Sequence, residues 1–356
     1  MLMPSNALAD AMRECDWLIV GSGPSGSMAA KVLSEHGEKD IIVLERLSPR
    51  PYGRYHSICG EAVSERMLSK VGFRPDRVLR EVSSISIGFP GGIDVDIPVK
   101  GYIVDRNSML AQLREGVDAD RIHSTVVSVR RDGDGFIAST GEGDVRCRHL
   151  IGADGAHSVV RRDVFGSKPE EMVPIVNNIV PGDGGDVLRF IVGGRYKGGY
   201  RWEFPSAEGT MSVGYPKGTD SVDGALSVGA RSMPIGRLPS VADGDCCLVG
   251  DAASIANPLC FGGIGAALLS GRKAAECMIA GRSDRYQRWI DRDRMFDGHF
   301  MEAHRMFSSW GDEEIEEAMR PFAKGYSILR GLHAMMRHPS WANIYMSCWL
   351  GFAYGW

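Results

Sequence analysis

Trp17-Leu18-Ile19-Val20-Gly21-Ser22-Gly23-Pro24-Ser25-Gly26 joins a four-residue apolar run to a glycine-rich turn, and a stretch of helical character, Ser27 to His36, follows it. Strand, turn and helix in that order are what the binding of a pyrophosphate requires. Gly21 permits the tight turn, Gly23 lets backbone approach the phosphates, and Gly26 lets helix pack closely on strand. Ser25 lies in the same turn. The helix start offers free N–H groups and the positive end of its dipole. Pro24 fits the first helical turn, where no N–H is missed. The next apolar run, Ile41-Ile42-Val43-Leu44, ends at Glu45, a carboxylate placed to accept hydrogen bonds from a ribose. The sequence therefore predicts a βαβ dinucleotide-binding unit.

Two later segments decide which dinucleotide. Leu150-Ile151-Gly152-Ala153-Asp154-Gly155-Ala156-His157-Ser158 ends a strand in a small-residue turn, and a basic segment from Val159 through Arg161 and Arg162 follows. Cys246-Cys247-Leu248-Val249 reads as a buried strand running into Gly250-Asp251-Ala252-Ala253, where Asp251 is placed to accept a hydrogen bond from a ribityl hydroxyl. Gly262-Gly263-Ile264 then leads into a small-residue helix, Ala266 to Ala280, whose N-terminal amides face the electron-rich end of a flavin ring. The three signatures in this order resemble the large flavoprotein group typified by p-hydroxybenzoate hydroxylase. That resemblance implies FAD as the cofactor.

With 356 residues, 44% hydrophobic and 24% charged, the chain can bury a large core. A net charge of −4 gives no support for a nucleic-acid partner. The eight cysteines (Cys15, Cys59, Cys147, Cys246, Cys247, Cys260, Cys277 and Cys348) form no metal-type pairs, so no metal site is expected, and they indicate a reducing, cytoplasmic compartment. Asp10, Arg13 and Glu14 interrupt what would be the apolar core of a signal peptide. No run of about 18 apolar residues is present to span a membrane.

The fold class expected is α/β (α+β overall): a Rossmann-like FAD-binding domain with an inserted antiparallel β-sheet substrate domain and a C-terminal helical region. The FAD-binding domain is read as discontinuous, from residues 1–80, 100–170 and 240–282. The β-rich substrate domain takes 81–99 and 171–239, where Met172 to Val180, Val187 to Val192, Gly199 to Phe204 and Thr210 to Tyr215 show strand-like composition. Residues 283–356 read as helices, with breaks at Gly311, Pro321 and Pro339.

Within the β-rich stretch, Tyr200-Arg201-Trp202-Glu203-Phe204-Pro205 alternates, which puts Tyr200, Trp202 and Phe204 on one face as an aromatic wall, with Arg201 and Glu203 on the other. The string resembles the Tyr-x-Trp-x-Phe-Pro motif of geranylgeranyl reductases, flavoenzymes that saturate isoprenoid double bonds in archaeal lipids and chlorophyll side chains. Cys59-Gly60-Glu61-Ala62 follows Glu45 as that family's Cys-Gly segment does. The resemblance implies that Cys59, Gly60 and Ala62 line the flavin cleft, that Arg106 contacts FAD and that Val126 lies near the adenine. The candidate cofactor-binding set is thus Gly21, Gly23, Ser25, Gly26, Glu45, Arg46, Cys59, Gly60, Ala62, Arg106, Val126, Asp154, Gly155, Asp251, Gly262, Gly263 and Ile264, and the candidate catalytic set is Cys59, Tyr200, Trp202 and Phe204. Two departures stand out. Gly214-Tyr215-Pro216 keeps only the first glycine of the family's Gly-x-Gly, and the chain is short for the family.

The activity implied is FAD-dependent reduction of carbon–carbon double bonds in geranylgeranyl chains, in archaeal-type membrane lipid biosynthesis. The partners implied are a prenyl lipid and an electron donor: reduced ferredoxin, a deazaflavin or NADPH. The aromatic wall would hold the prenyl chain and stabilise positive charge at its tertiary carbon. Flavin through bound water, Tyr200 and Cys59 are the possible proton sources. The aromatic C-terminal segment, Trp341 to Trp356, either covers a lipid tunnel, docks as an ordinary terminal helix or makes a peripheral membrane contact. Two alternatives share the FAD signatures: a single-component flavin monooxygenase, and a non-catalytic flavin or lipid carrier.

Overall fold

The computed structural model describes residues 12–351 and Tyr354; Asp10, Phe352, Ala353, Gly355 and Trp356 of the sequence reading lie outside the described residues. Two eight-stranded sheets carry the architecture. In the first, strands Asp120–His123, Ile41–Glu45, Arg13–Val20, Gly143–Gly152 and Cys246–Leu248 lie side by side and parallel. The segments Trp17–Val20 and Ile41–Leu44 of the central strands are apolar and buried because helices cover that part of the sheet, as parallel sheets require. Pro24–Glu35 and Ile264–Ile279 pack on each other through Met28, Ala29, Leu268 and other buried residues of one core.

This topology explains the order of the three signatures. Val20 is in register with Gly152, and Gly152 with Leu248. All three segments therefore leave the C-terminal ends of adjacent parallel strands, the edge at which such sheets bind ligands. Gly21 holds φ +99°, and a Cβ there would strike the carbonyl of Ala153, so the first signature packs directly on the second. Arg161, buried, closes the set: its guanidinium donates to the carbonyls of Ala156 (2.6 Å), Ala252 (3.0 Å) and Asp251 (3.4 Å).

The second sheet runs Ser227–Ile235, Glu171–Pro181, Thr210–Pro216, Tyr200–Pro205, Val187–Val192, Val78–Phe89, Ile93–Val104 and Ala62–Ser64. It is mixed rather than antiparallel throughout, because Val187–Val192 pairs in parallel with Val78–Phe89. The first-inserted hairpin spans 78–104, wider than the expected 81–99, and Ala62–Ser64, at the end of the Cys59-Gly60 segment, adds an edge strand. Beyond Ile279 the chain is helical, as expected, with Gly311 at a helix N-cap and Pro321 and Pro339 in short 3-10 turns.

Candidate functional site

One cavity of about 940 Å³ runs between the first sheet's C-terminal edge and the face of the second sheet. Every residue of the predicted cofactor set except Gly26 lines it, and so do all four predicted catalytic residues. Gly26 stands behind the wall, where a Cβ would strike the carbonyl of Gly21.

At the fingerprint end, the cavity meets two helix starts. Gly23 caps Pro24–Glu35 and Gly263 caps Ile264–Ile279, and neither helix has a side-chain cap on its first N–H groups. Those donors need partners, and both starts open onto the same space. Glu45 accepts from the N–H (3.0 Å) and hydroxyl (2.9 Å) of Ser22 and from the N–H of Leu47 (2.8 Å). Its carboxylate thus holds the glycine loop as well as facing the cavity. Asp154 spends its carboxylate on its own chain, accepting from Ser158 Oγ (2.5 Å) and the N–H groups of Val159 (2.6 Å) and Val160 (3.2 Å) at a helix start. What Asp154 and Gly155 offer the cavity is therefore mainly backbone. Val126 is buried at a strand start, while its neighbour Val127 is exposed.

The sequence reading missed a polar cluster here. His56, Arg231, Ser124 and Asn257 line the cavity beside Arg106. His56 Nδ1, Arg106 Nε, Arg231 Nε, Ser124 Oγ and Asn257 Nδ2 are buried with no hydrogen-bond partner among the described residues. Burial, reinforced by Arg106 and Arg231, holds the His56 imidazole neutral, its pKa pushed down to about 2. Arg231 comes from the second sheet, stacks on Tyr55 at 3.9 Å and donates to the Tyr55 carbonyl. Burial pushes the pKa of Asp251 up, while Arg231, Arg106 and Arg161 pull it down. Buried cations beside orphaned donors are costly unless an anion meets them. The site thus fits a dinucleotide diphosphate on physical grounds. No local motif marks Arg231 or Ser124; only the fold brings them in.

At the other end the wall is aromatic. Tyr200, Trp202 and Phe204 are buried on one strand face, as predicted, while Arg201 turns away to Glu203 (2.8 Å) and Asp220 (3.2 Å). Phe190 joins the wall against Tyr200 (4.9 Å) and Phe204 (5.0 Å), and Phe261 stacks on Tyr200 at 5.3 Å. Both were missed because each lies on a different segment from the motif. Trp202 Nε1 donates to Ser212 Oγ (3.2 Å), which donates to Asn177 Oδ1 (2.6 Å). The Tyr200 hydroxyl donates to the carbonyl of Cys260, and burial raises its pKa well above 10, which makes it a poor acid. Ile87, Val192, Phe307 and Cys348 continue the lining in apolar material toward the C-terminal helices.

Between the two ends lies Cys59-Gly60-Glu61-Ala62. Gly60 sits under the wall, and a Cβ there would come within 2.8 Å of Phe204 and 3.5 Å of Trp202 Nε1. Cys59 Sγ accepts from the N–H of Glu61 at 3.4 Å. Glu61 and Phe261 both hold positive φ, 58° and 50°, and both line the cavity. Such strain persists in non-glycine residues only where the surroundings impose it. Burial pushes the Glu61 carboxyl up to about 8, although Arg106 opposes the shift.

Residues 14–77 match the FAD binding domain family. Over 312 residues the chain is 30% identical to digeranylgeranylglycerophospholipid reductase 1 of Methanopyrus kandleri, covering 75% of this chain and 80% of that one. The fold matches a geranylgeranyl bacteriochlorophyll reductase-like protein of Thermoplasma acidophilum with a TM-score of 0.76 at 21% identity, covering 91% and 96% of the two chains. It also matches p-nitrophenol 4-monooxygenase of Pseudomonas putida with a TM-score of 0.61 at 17% identity, covering 94% and 96%, so the fold alone does not choose the reaction. Together with the 30% relative, these matches answer the question that the three signatures raised: the chain belongs to the digeranylgeranylglycerophospholipid reductase family of FAD-dependent oxidoreductases.

Proposed function

We propose that this protein reduces the isolated double bonds of geranylgeranyl chains carried on a glycerophospholipid, and that FAD lies along the cavity from the Gly21–Gly26 turn to the aromatic wall. One observation carries the reading: a single cavity joins a cationic section, suited to a diphosphate, to an apolar aromatic section, suited to a prenyl chain. When bound, FAD supplies two-electron redox chemistry. The donor-rich end, with the two uncapped helix starts, Arg106 and Arg231, holds the diphosphate, and Glu45 and Asp251 accept from sugar and ribityl hydroxyls.

Tyr200, Trp202, Phe204 and Phe190 hold the flexible chain in one orientation and keep water away from it. For a poor acceptor such as a trisubstituted alkene, that positioning supplies much of the acceleration. Saturating each bond takes two electrons and two protons. The electrons come from a reductant outside the chain, whether ferredoxin, a deazaflavin or NADPH. Glu61 is the proton holder we assign, because it lines the cavity and burial keeps its carboxyl protonated near neutral pH. Eight free cysteines support a reducing, cytoplasmic setting.

The test is anaerobic incubation of dithionite-reduced holoprotein with geranylgeranyl glycerophospholipid, free geranylgeranyl diphosphate and a prenylated quinone. Mass spectrometry then reads the gain of two hydrogens per bond. Reduction of the phospholipid supports the reading. Reduced holoprotein that leaves every prenyl compound unchanged, or that hydroxylates one when oxygen is admitted, overturns it.

A further inference from the structure

Four of the ten exposed large apolar residues among those described lie on one ten-residue helix, Ile328–Arg337: Ile328 (59% exposed), Leu329 (77%), Leu332 (49%) and Met336 (73%). At about 100° per residue they form one continuous arc of about 100°. Ala334, on the opposite side, is buried; exposed His333 borders the arc, and exposed Arg337 lies further round the helix. An amphipathic helix normally turns such an arc inward; this one turns it out.

The stretch of sequence that carries it has charge of one sign. From Ala318 to Trp356 the sequence has no Asp or Glu, but it has Arg320, Lys324, Arg330 and Arg337, in a chain whose net charge is −4. Arg320 is paired with Glu316 (3.2 Å) and Arg330 is spent on the carbonyls of Lys324 (2.7 Å) and Gly325 (2.6 Å), whereas Lys324 and Arg337 are exposed. An exposed apolar arc accompanied by the exposed cations Lys324 and Arg337, in a stretch of sequence without acids, is the pattern of a helix lying in the headgroup layer of an anionic bilayer. No helix among the described residues is long and apolar enough to cross a membrane, so any such contact would be in-plane.

The position links this surface to the cavity. The helix packs on Ala342–Leu350, where Tyr345 shares a core cluster with Ala334, and Cys348 of that second helix lines the cavity. We propose that Ile328–Arg337 is an in-plane anchor for anionic lipid bilayers, seating the C-terminal helices, and with them the apolar end of the cavity, on the membrane that supplies the lipid. The purpose assigned to the anchor rests on the lipid-reductase reading; the surface itself does not.

The test is co-sedimentation of FAD-loaded protein with vesicles of phosphatidylglycerol or of phosphatidylcholine, at low and high salt. The expected result is binding to phosphatidylglycerol vesicles that weakens with salt. It should fall at least about tenfold in the double variant Leu329→Asp, Leu332→Asp, which removes two leucines' worth of burial. An unchanged flavin spectrum and circular dichroism show that the variant is folded. Wild-type protein that ignores both vesicles, or a double variant that binds as well as wild type, overturns the proposal. So does a variant that only converts a dimer to monomers in analytical ultracentrifugation, which would assign the arc to a second copy of the chain. Reduction of detergent-dispersed lipid separates the two readings. If wild type binds vesicles but reduces no lipid, the anchor stands and the reductase reading falls; if it reduces dispersed lipid but ignores vesicles, the reverse holds.

Discussion

At the fingerprint end of the cavity His56, Arg106, Arg231, Ser124 and Asn257 keep buried polar atoms without partners among the described residues, whereas at the aromatic end the hydroxyl of Tyr200 and the indole N–H of Trp202 are both occupied. The first region is assembled for something absent from the chain, and it weakens the fold until a ligand meets its charges. The second is ordinary core, part of a cluster with Ile85, Ile103 and Ile175, left open on one side. A cavity can therefore bind a cofactor with groups that cost stability and a substrate with groups that add to it. Substitutions at the two ends should separate along that line.

The largest effect is expected at the junction. Glu61→Gln keeps size and polarity but holds no transferable proton, so lipid reduction in single-turnover assays should fall about 10²- to 10⁴-fold while the flavin spectrum is retained. The pH dependence gives a second check. Burial raises the folded pKa to about 8 from an ordinary 4.5, so the proton is present below about 8 and the wild-type rate should decline as pH rises through it. The sign for stability is the same. The folded protein binds the extra proton, so the contribution is full below about 4.5 and is lost as pH rises through about 8. A rate that stays flat across pH 8, or Glu61→Gln at wild-type rate, removes Glu61 from the chemistry.

Trp202→Ala should come next, with reduction down about a hundredfold through lost positioning and stability lower by about 3–5 kcal/mol, read by thermal unfolding. FAD should stay bound. If FAD is lost and the protein is still folded, the two ends are not separable. Arg106→Met tests the converse. Loss of hydrogen bonds to a charged partner should weaken FAD roughly tenfold to a hundredfold in fluorescence titration, whereas the apoprotein should lose little stability, because a buried guanidinium whose Nε has no partner among the described residues is gone. Lower apoprotein stability would show that Arg106 is structural.

The two ends also differed in how far the sequence revealed them. The Gly21–Gly26 turn, Glu45 and the Gly250-Asp251 turn are legible because phosphate binding at a strand end constrains consecutive residues. The alternation of Tyr200, Trp202 and Phe204 was legible for the same local reason, with period two on one strand. Phe190, Phe261, His56 and Arg231 were not. They meet the site only through strand pairing, as when Phe190 comes opposite Trp202, and no short-range pattern encodes that register. The mixed sheet was missed for a related reason. The parallel pairing of Val187–Val192 with Val78–Phe89 joins segments about a hundred residues apart. Asp154 was legible as a turn residue at a strand end, whereas the engagement of its carboxylate at a helix start was not.

The smallest effect concerns Gly214, the one glycine kept from the family's Gly-x-Gly. It lies opposite Trp202 in the adjacent strand, and the indole covers it so closely that a Cβ would overlap the six-membered ring. Trp202 cannot swing away freely, because its Nε1 is held by Ser212 Oγ, itself bonded to Asn177 Oδ1. Gly214→Ala should therefore push the indole toward the cavity at a cost of about 1–3 kcal/mol, read by thermal unfolding, as overpacked cores generally show. FAD affinity should hold, because the diphosphate end shares no side chain with this contact, while reduction of the bulkiest prenyl lipid should suffer more than that of a short one. Pro216 tells why the second glycine is dispensable here: it ends the strand, in register with Ile175, where no indole lies across from it. If Gly214→Ala leaves stability and chain-length preference unchanged, the wall is soft, and the contrast between a fixed aromatic end and a ligand-dependent cationic end loses its physical basis.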